Sequence, residues 1–200
     1  MSEFRPFIAA LIEHEALPVD KFGHQPRLYA LTQQIGEGLT YDDDIVYAAA
    51  WLHDLGVFVG NRPEEVAALT AWDHVAYACA RTPQILTEAG FPKEKIPAVL
   101  DCIRQHQPYD DPQSLEATIL RDADILEQLG AIGILRNVSK VGRDTRYARF
   151  TDIAPVLRKS LADLPARLRT GRARELAQPK VRLLASFLEA IDSEAAGNLY

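Results

Sequence analysis

The sequence predicts an all-α protein, and three observations support that fold class. Apolar residues recur at three- and four-residue spacing through most of the 200 residues, as on the buried face of a helix. No segment shows the apolar-polar alternation of a half-buried strand. Several helix starts are marked: Pro26 suits a first turn, Ser114 precedes Glu116, and Thr40 with Asp43 resembles a cap.

Eight helices are predicted, each an apolar-periodic stretch bounded by polar residues, glycine or proline. The fourth is expected to break near Trp72. In the sixth, Gly130 and Gly133 are expected to permit close packing, because a helical glycine costs about 1 kcal/mol and needs a reason. The predicted helices run from Phe4 to Ala16, Gln25 to Gly38, Asp43 to Asp54, Glu64 to Ala89, Lys93 to Gln105, Leu115 to Val141, Ile153 to Leu168 and Arg172 to Ile191.

Length and composition predict one domain that needs no disulfide or metal in order to fold. With 48% hydrophobic residues, a chain of this length buries roughly 70% of its unfolded surface. We expect a single domain over residues 1–200, with a core at about 20–150 and a C-terminal helical extension at about 151–200.

The net charge and the length of the apolar runs argue against nucleic acid and membrane as partners. The formal charge is −6, from 22 basic and 28 acidic residues, and no polybasic run is present, which argues against a nucleic-acid groove. No apolar run reaches membrane-spanning length, and the N-terminus lacks a signal-peptide pattern. We therefore expect a cytoplasmic protein without a membrane partner, in which Cys79 and Cys102 are free, buried thiols.

The most informative motif is the pair His53 and Asp54, at the end of the apolar run from Ile45 to Leu55. Imidazole nitrogen and carboxylate oxygen together suit manganese, iron, cobalt, nickel or zinc better than magnesium or calcium. Adjacent helical residues point about 100° apart, so this pair can meet at one ion most easily at a helix end. Gly56 marks such an end.

The order His24, then His53 and Asp54, then Asp124 after Ala123 resembles the HD-domain superfamily of metal-dependent phosphohydrolases. The resemblance covers roughly His24 to Arg149. It implies an HD-domain helical bundle in which His24, His53, Asp54 and Asp124 hold a divalent metal. It also implies a phosphorylated substrate, most often a nucleotide or a nucleotide derivative.

The resemblance also separates two neighbouring aspartates. Asp122 and Asp124 lie about 200° apart around a helix, so they cannot both face one site. Apolar residues flank both, and periodicity does not choose between them. The resemblance selects Asp124, which leaves Asp122 as a residue that supports the ligands or is solvated.

His74 and His106 have two interpretations each. Either could bind a second metal, contact the substrate phosphate or protonate the leaving oxygen, since some HD enzymes place extra histidines there. Alternatively, His74 simply follows the capping residue Asp73, and His106 sits at a helix end where the macrodipole favours an imidazolium. The residues after the His-Asp pair, Leu55 to Phe58, lack the charged residue that the family often carries, so no general acid or base is obvious.

Two irregular segments, Gly56 to Pro63 and Gln107 to Gln113, are expected to contribute to substrate selection. Their candidate contacts are Asn61, Arg62 and Tyr109, although these are also typical surface loop residues.

Positive charge for a phosphate has two candidate sources. Arg27 follows His24 by three residues and so shares its helix face. A basic stripe continues the helix of Asp124 and would cap the cleft or form a solvated face; it consists of Arg136, Lys140, Arg143 and Arg146.

These observations together predict metal-assisted hydrolysis of a phosphate ester or anhydride in a small phosphorylated substrate. One or two divalent transition-metal ions are expected per chain. Two alternatives remain open. The fold also hosts diiron oxygenases, for which the extra histidines would suit a second iron, and a ligand set can persist in a catalytically silent, metal-binding regulatory module.

Overall fold

The structure is a computed structural model that describes residues 3–17, 22–142 and 147–199. These residues form α-helices and short 3₁₀ turns without a β-strand, and an isolated bridge joins Val59 and Arg62. The all-α prediction is confirmed. The helices are α1 (Phe4–Glu15), α2 (His24–Ile35), α3 (Asp43–Leu52), α4 (Val66–Thr70), α5 (His74–Glu88), α6 (Ile96–Arg104), α7 (Leu115–Glu127), α8 (Gly130–Val138), α9 (Ile153–Asp163) and α10 (Gly171–Ala195).

The chain divides into two compact units, Met1–Arg121 and Asp122–Tyr200, and the boundary falls inside α7. The sequence placed the start of the C-terminal extension near residue 151, so the second unit begins earlier than that extension. The single domain over residues 1–200 stays a prediction.

Helix α3 is the centre of the first unit. Every residue from Ile45 to Leu52 is buried, and α3 contacts α1, α2, α5 and α6. A helix that is apolar on all sides is stable only when it is surrounded in this way. Its cap is Asp42, whose Oδ1 accepts hydrogen bonds from the backbone N–H of Asp44 and Ile45. The predicted cap of Thr40 with Asp43 is therefore wrong, because Asp42 has the extended backbone that capping requires.

The expected break near Trp72 is confirmed. Helix α4 ends at Thr70, and α5 begins at His74. Between them, Asp73 is extended (φ −94°, ψ 95°), and its carboxylate accepts hydrogen bonds from the N–H groups of Val75 and Ala76 at 3.0 and 2.9 Å. The carboxylate thus caps α5, as the sequence suggested.

The single helix predicted from Leu115 to Val141 is wrong, because the chain breaks between α7 and α8. Leu129 is extended (φ −105°, ψ 157°), and Gly130 has a φ of 69°, which side chains other than glycine rarely adopt. A Cβ on Gly133 would lie 2.2 Å from the carbonyl oxygen of Gln128. Both glycines therefore serve the turn that begins α8. The predicted close packing is also observed at Gly130, where an added Cβ would lie 3.0 Å from the Lys180 side chain of α10.

Asp122 belongs to the second unit and is fully buried. Its carboxylate accepts hydrogen bonds from the backbone N–H of Arg169 at 3.1 Å, from that of Thr170 at 2.8 Å and from the Thr170 hydroxyl at 2.9 Å. The expectation of a solvated Asp122 is wrong. Its carboxylate instead fixes the loop that leads into α10, where Thr170 is the cap.

The two cysteines are free, as predicted, but they differ in burial. Cys102 is fully buried, and burial raises the pKa of its thiol to about 12. Cys79 is only half-buried, which corrects the expectation of two buried thiols; burial also raises its pKa. Among the described residues, no helix is long and apolar enough to cross a membrane.

Candidate metal centre

His53 and Asp54 lie where the central helix α3 ends. His53 still has helical dihedrals (φ −59°, ψ −33°), whereas Asp54 has left the helix (φ −98°, ψ 13°) and a 3₁₀ turn from Leu55 to Val57 follows. This change of direction brings His53 Nε2 to 3.6 Å from Asp54 Oδ1. The expectation that the two side chains converge at a helix end is confirmed.

His24 joins the pair from the first residue of α2. Its side chain is buried, and its Nε2 lies 3.3 Å from His53 Nε2 and 3.6 Å from Asp54 Oδ2. The fold of the first unit therefore places three of the four predicted ligands at one point.

The hydrogen bonding of His53 shows which nitrogen is available to a ligand. His53 Nδ1 lies 3.0 Å from the carbonyl oxygen of Ala50, in a ring that is 1% exposed. A carbonyl only accepts hydrogen bonds, so Nδ1 carries the proton and donates. The Nε2 atom, which lies near His24 and Asp54, is then the acceptor nitrogen of the ring. Metal-bound histidines have this arrangement, with the second nitrogen fixed by a backbone carbonyl or a carboxylate.

His106 repeats the same pattern after the end of α6. It is buried, its Nδ1 lies 2.6 Å from the carbonyl oxygen of Ile103, and its ring centroid is 4.8 Å from that of His53. His53, Asp54 and His106 each offer a ligand atom, and these atoms lie within 4.8 Å of one another. The Ile103 contact is that of a residue at a helix end, and the closeness to His53 and Asp54 fits a role in the site as well; a site role for His106 stays a prediction.

His74 is half-buried at the first position of α5, with its ring centroid 6.2 Å from that of His106. No group of clustered donor atoms in the described residues includes it. A Cβ on Gly56 would lie 2.6 Å from the His74 carbonyl oxygen. Gly56, which the sequence suggested only as a helix end, therefore lets the start of α5 lie against the turn that follows Asp54.

Asp124 lies on the part of α7 that belongs to the second unit. It is 8% exposed, its Oδ2 accepts a hydrogen bond from Gln128 Nε2 at 3.0 Å, and Arg136 Nη1 lies 4.0 Å from its Oδ1. Arg136 also lies 3.5 Å from the buried carboxylate of Glu127. Metal ligation by Asp124 stays a prediction from the family resemblance.

The helix that was predicted to carry the basic stripe is broken between α7 and α8. Helix α7 ends before the stripe, and Arg136 of α8 pairs with acidic side chains of its own unit. Lys140 follows the end of α8, while Arg143 and Arg146 lie outside the described residues. Arg27 is half-buried on α2, three residues after His24, as its spacing requires.

The loop candidates differ in how their side chains are used. Both N–H groups of the Asn61 amide are engaged within the chain, with Glu15 Oε2 and with the carbonyl oxygen of Leu55, each at 3.0 Å. Arg62 is half-buried, and Tyr109 is 55% exposed. Asn61 therefore has no donor left for a substrate, and the structure gives it a role in the fold that the sequence did not indicate.

The donor set fits a divalent transition metal. His53, Asp54 and His106 each offer a ligand atom, and the Asp54 carboxylate lies 3.6 Å from the Nε2 atoms of His24 and His53. Imidazole and carboxylate donors together suit manganese, iron, cobalt, nickel and zinc. The enclosed, mixed-donor site is also the kind that fixes coordination geometry.

Comparison with known proteins identifies the family. The family model for the HD domain matches residues 22–129, a range that contains His24, His53, Asp54, His106 and Asp124. The chain belongs to the HD domain family. Membership implies divalent metal binding and, with the histidine and aspartate cluster, supports a metal-dependent hydrolase.

Relatives of similar length share the whole fold. The chain is 25% identical over 210 residues to the uncharacterized protein YpgQ of Bacillus subtilis, covering 98% of this chain and 93% of that protein. The crystal structure of YpgQ aligns with a TM-score of 0.74 over 98% of this chain and 99% of that chain, at 25% identity. An HD-superfamily hydrolase from Bacillus thuringiensis aligns with a TM-score of 0.69 at 22% identity, over 97% of each chain, and shows the shared fold.

Proposed function

We propose that this protein is a metal-dependent phosphohydrolase that cleaves a phosphate ester or anhydride in a nucleotide or nucleotide derivative. The observation that carries the proposal is the paired arrangement of His53 and His106. Both rings are buried, both have Nδ1 against a backbone carbonyl three residues earlier, and both offer a ligand atom to the group that contains Asp54. Such an arrangement has the chemistry of a metal site.

His24, His53, Asp54 and Asp124 are the proposed ligands, and His106 adds a further nitrogen donor. When bound, a divalent ion polarises a phosphoryl oxygen and lowers the pKa of a water molecule. The buried histidines orient the site, because their Nδ1 hydrogen bonds fix the rings. Asp54 balances positive charge in a region from which the surrounding helices exclude most water.

His74 is the proposed proton donor to the leaving oxygen. It is half-buried and adjacent to His106, yet it lies outside the clustered donors. General acid catalysis by a positioned histidine contributes about 10² to 10⁴-fold to a rate. Arg27 is proposed to neutralise charge on the phosphate, since a guanidinium matches two phosphate oxygens at once.

A nucleotide substrate is supported by one relative. YpgQ of Bacillus subtilis has a crystal structure in complex with ADP, which aligns with a TM-score of 0.74 at 24% identity over 98% of each chain. Two loop residues are proposed to contact the part of the substrate beyond the phosphate: Arg62, in the loop after the His-Asp pair, and Tyr109, in the loop after His106. Lys140 and Arg143 are further basic candidates for this contact.

The proposal is tested by stripping the purified protein of metal and restoring one divalent ion at a time. Nucleoside mono-, di- and triphosphates and a generic aryl phosphate are then assayed for phosphate release. We expect manganese, cobalt or zinc to restore hydrolysis of at least one nucleotide. Failure of every ion and substrate with the wild-type protein, alongside full metal occupancy, would contradict the proposal.

A diiron oxygenase is the second candidate, and the position of His106 favours it. A fourth clustered donor beyond His24, His53 and Asp54 suits a site with two ions. Two irons per chain with iron-dependent oxygen uptake, and no phosphate release, would select this alternative.

Substitution of the two histidines should separate their roles. His106→Ala is expected to lower metal content, because it removes a clustered donor. His74→Ala should retain full metal content while turnover falls by about a hundredfold or more, the contribution of a general acid. Elemental analysis and turnover on the same samples measure both effects. Equal loss of metal in the two variants would contradict this assignment.

Arg27 should matter to turnover without affecting metal content. We expect Arg27→Ala to lose about tenfold or more in kcat/KM, where each factor of ten is about 1.4 kcal/mol. Arg27→Lys should recover only part of the loss, because an ammonium cannot reproduce the bidentate guanidinium. Arg104→Ala is the matched control, since Arg104 is exposed and pairs with Asp101 on its own helix. Activity unchanged in Arg27→Ala would place the phosphate contact elsewhere.

A further inference from the structure

The turn that follows Asp54 is held through its backbone carbonyl groups. The Leu55 carbonyl accepts a hydrogen bond from Asn61 Nδ2 at 3.0 Å, and the Gly56 carbonyl accepts one from Trp72 Nε1 at 2.8 Å. The carbonyl of Asp54 itself accepts from the N–H of Val57 at 2.9 Å. Three consecutive carbonyl groups after the His-Asp pair therefore have fixed partners, which fixes the backbone dihedrals on which the direction of the Asp54 side chain depends.

Asn61 is held in turn by an ion pair that joins α1 and α5. Glu15 Oε2 accepts a hydrogen bond from Asn61 Nδ2 at 3.0 Å, and Arg81 Nη1 donates to Asn61 Oδ1 at 3.4 Å. The Arg81 guanidinium binds both Glu15 oxygens, at 2.8 and 2.9 Å, in the bidentate geometry that gives a strong and directional pair. The amide that fixes the Leu55 carbonyl is thus itself fixed on two sides.

The pair is charged at neutral pH. Burial acts to raise the pKa of Glu15, but the hydrogen bonds from Arg81 and Asn61 outweigh that effect, and the pKa lies below its ordinary value. Trp72 is also oriented, because its ring lies 5.3 Å, centroid to centroid, from that of Tyr77 on α5.

We infer that Glu15, Asn61, Trp72 and Arg81 form a turn clamp that positions Asp54 for metal binding. The turn clamp rests on the metal centre of the proposed function and explains how that centre is set up. None of its four side chains belongs to a group of clustered donor atoms in the described residues, so all are positioning residues. Substitution of a group that orients a metal ligand without binding the metal typically lowers metal affinity by about 10 to 100-fold.

Two variants remove hydrogen bonds from the turn clamp. Trp72→Phe keeps an aromatic ring beside Tyr77 and removes only the indole N–H donor and part of the ring. Asn61→Ala removes the donor to the Leu55 carbonyl together with the Asn61 bonds to Glu15 and Arg81, and the two hydrogen bonds between Arg81 and Glu15 do not involve the substituted side chain. Each is titrated with Co²⁺ alone, and the dissociation constant is read from the visible absorption of the bound ion. Circular dichroism and a melting curve establish that each variant is folded at the temperature of the titration.

Trp51→Phe is the matched control. Trp51 is 7% exposed on α3, and its Nε1 has no hydrogen-bond partner among the described residues. The substitution removes the same chemical group and the same ring area from the first unit. We expect it to lower the melting temperature while leaving the Co²⁺ dissociation constant within about twofold of the wild type, because no metal-directed hydrogen bond is lost.

We expect Trp72→Phe and Asn61→Ala to weaken Co²⁺ binding by about tenfold or more and to alter the absorption bands of the bound ion. Unchanged affinity and bands in both variants, with normal binding by the wild type, would overturn the turn clamp and leave the metal centre standing. An equal loss in Trp51→Phe would also overturn it, since general loosening of the unit would then suffice. A wild-type protein that binds no Co²⁺ would overturn the metal centre and the turn clamp together.

Discussion

Replacement of Asp54 by alanine is expected to remove most of the bound metal and to reduce phosphate release by about a hundredfold or more, beyond the effect typical of residues that only orient a ligand. The Asp54 carboxylate lies 3.6 Å from the Nε2 atoms of both His24 and His53. Without it, the site loses one of its two proposed carboxylate ligands and the one that lies directly beside His24 and His53. Elemental analysis and an assay of phosphate release on the same preparation measure the two losses.

Two further variants sharpen this result. Asp54→Asn keeps the shape of the side chain and removes its charge, so it should retain the fold and still lose metal. Asp101→Ala is the matched control, because the Asp101 carboxylate is exposed and pairs with Arg104 on the surface of α6. Full metal occupancy in Asp54→Ala would contradict the assignment of the site.

Asp122→Ala is expected to lower the free energy of unfolding by about 3 kcal/mol, the upper end of the range for a hydrogen bond to a charged group. The fully buried carboxylate accepts hydrogen bonds from two backbone N–H groups and one hydroxyl, at Arg169 and Thr170. Removal of the carboxylate leaves those donors buried without an acceptor at the start of α10. Denaturant unfolding monitored by circular dichroism measures the loss.

Asp192→Ala provides the comparison for Asp122→Ala within the same unit. Asp192 pairs with Arg158 on the surface, where such a pair contributes less than about 1 kcal/mol. A loss of similar size in the two variants would contradict the role of Asp122 in fixing the loop before α10.

The fold was largely predictable because its helices have strong local signals. The run from Ile45 to Leu52 is apolar on all sides, and such a helix must be surrounded by others. Asp73 is a capping residue directly before an apolar-periodic run, and it caps α5. Periodicity and capping are properties of neighbouring residues, so the sequence alone displays them.

The errors arise where contacts between distant segments decide the structure. The apolar pattern of the sequence continues across the break before Gly130, so the pattern does not reveal the break. Only the observed φ of 69° at Gly130 and the approach of Gln128 to Gly133 show why the helix stops. Asp122 could be assigned only as a residue that supports the ligands or is solvated, because its partners lie about 47 residues further along the chain. No local pattern relates such residues.

The site was predictable in part for the same reason. His53 and Asp54 are adjacent, and the family resemblance supplied His24. The sequence could not show which of His74 and His106 lies closer to the ligands, because each is a single histidine at the end of a predicted helix. The difference lies in the 2.6 Å contact of His106 Nδ1 with a backbone carbonyl and in its closeness to His53, which are products of the fold.

The cluster of His24, His53, Asp54 and His106 is proposed to bind a catalytic metal ion. Anomalous diffraction from crystals of the protein grown with zinc would locate that ion. We expect an anomalous peak about 2.0–2.1 Å from His53 Nε2, with the Asp54 carboxylate also coordinated. Full zinc content in solution, with every anomalous peak away from His53 and Asp54, would show that the metal binds elsewhere and would refute the proposed site.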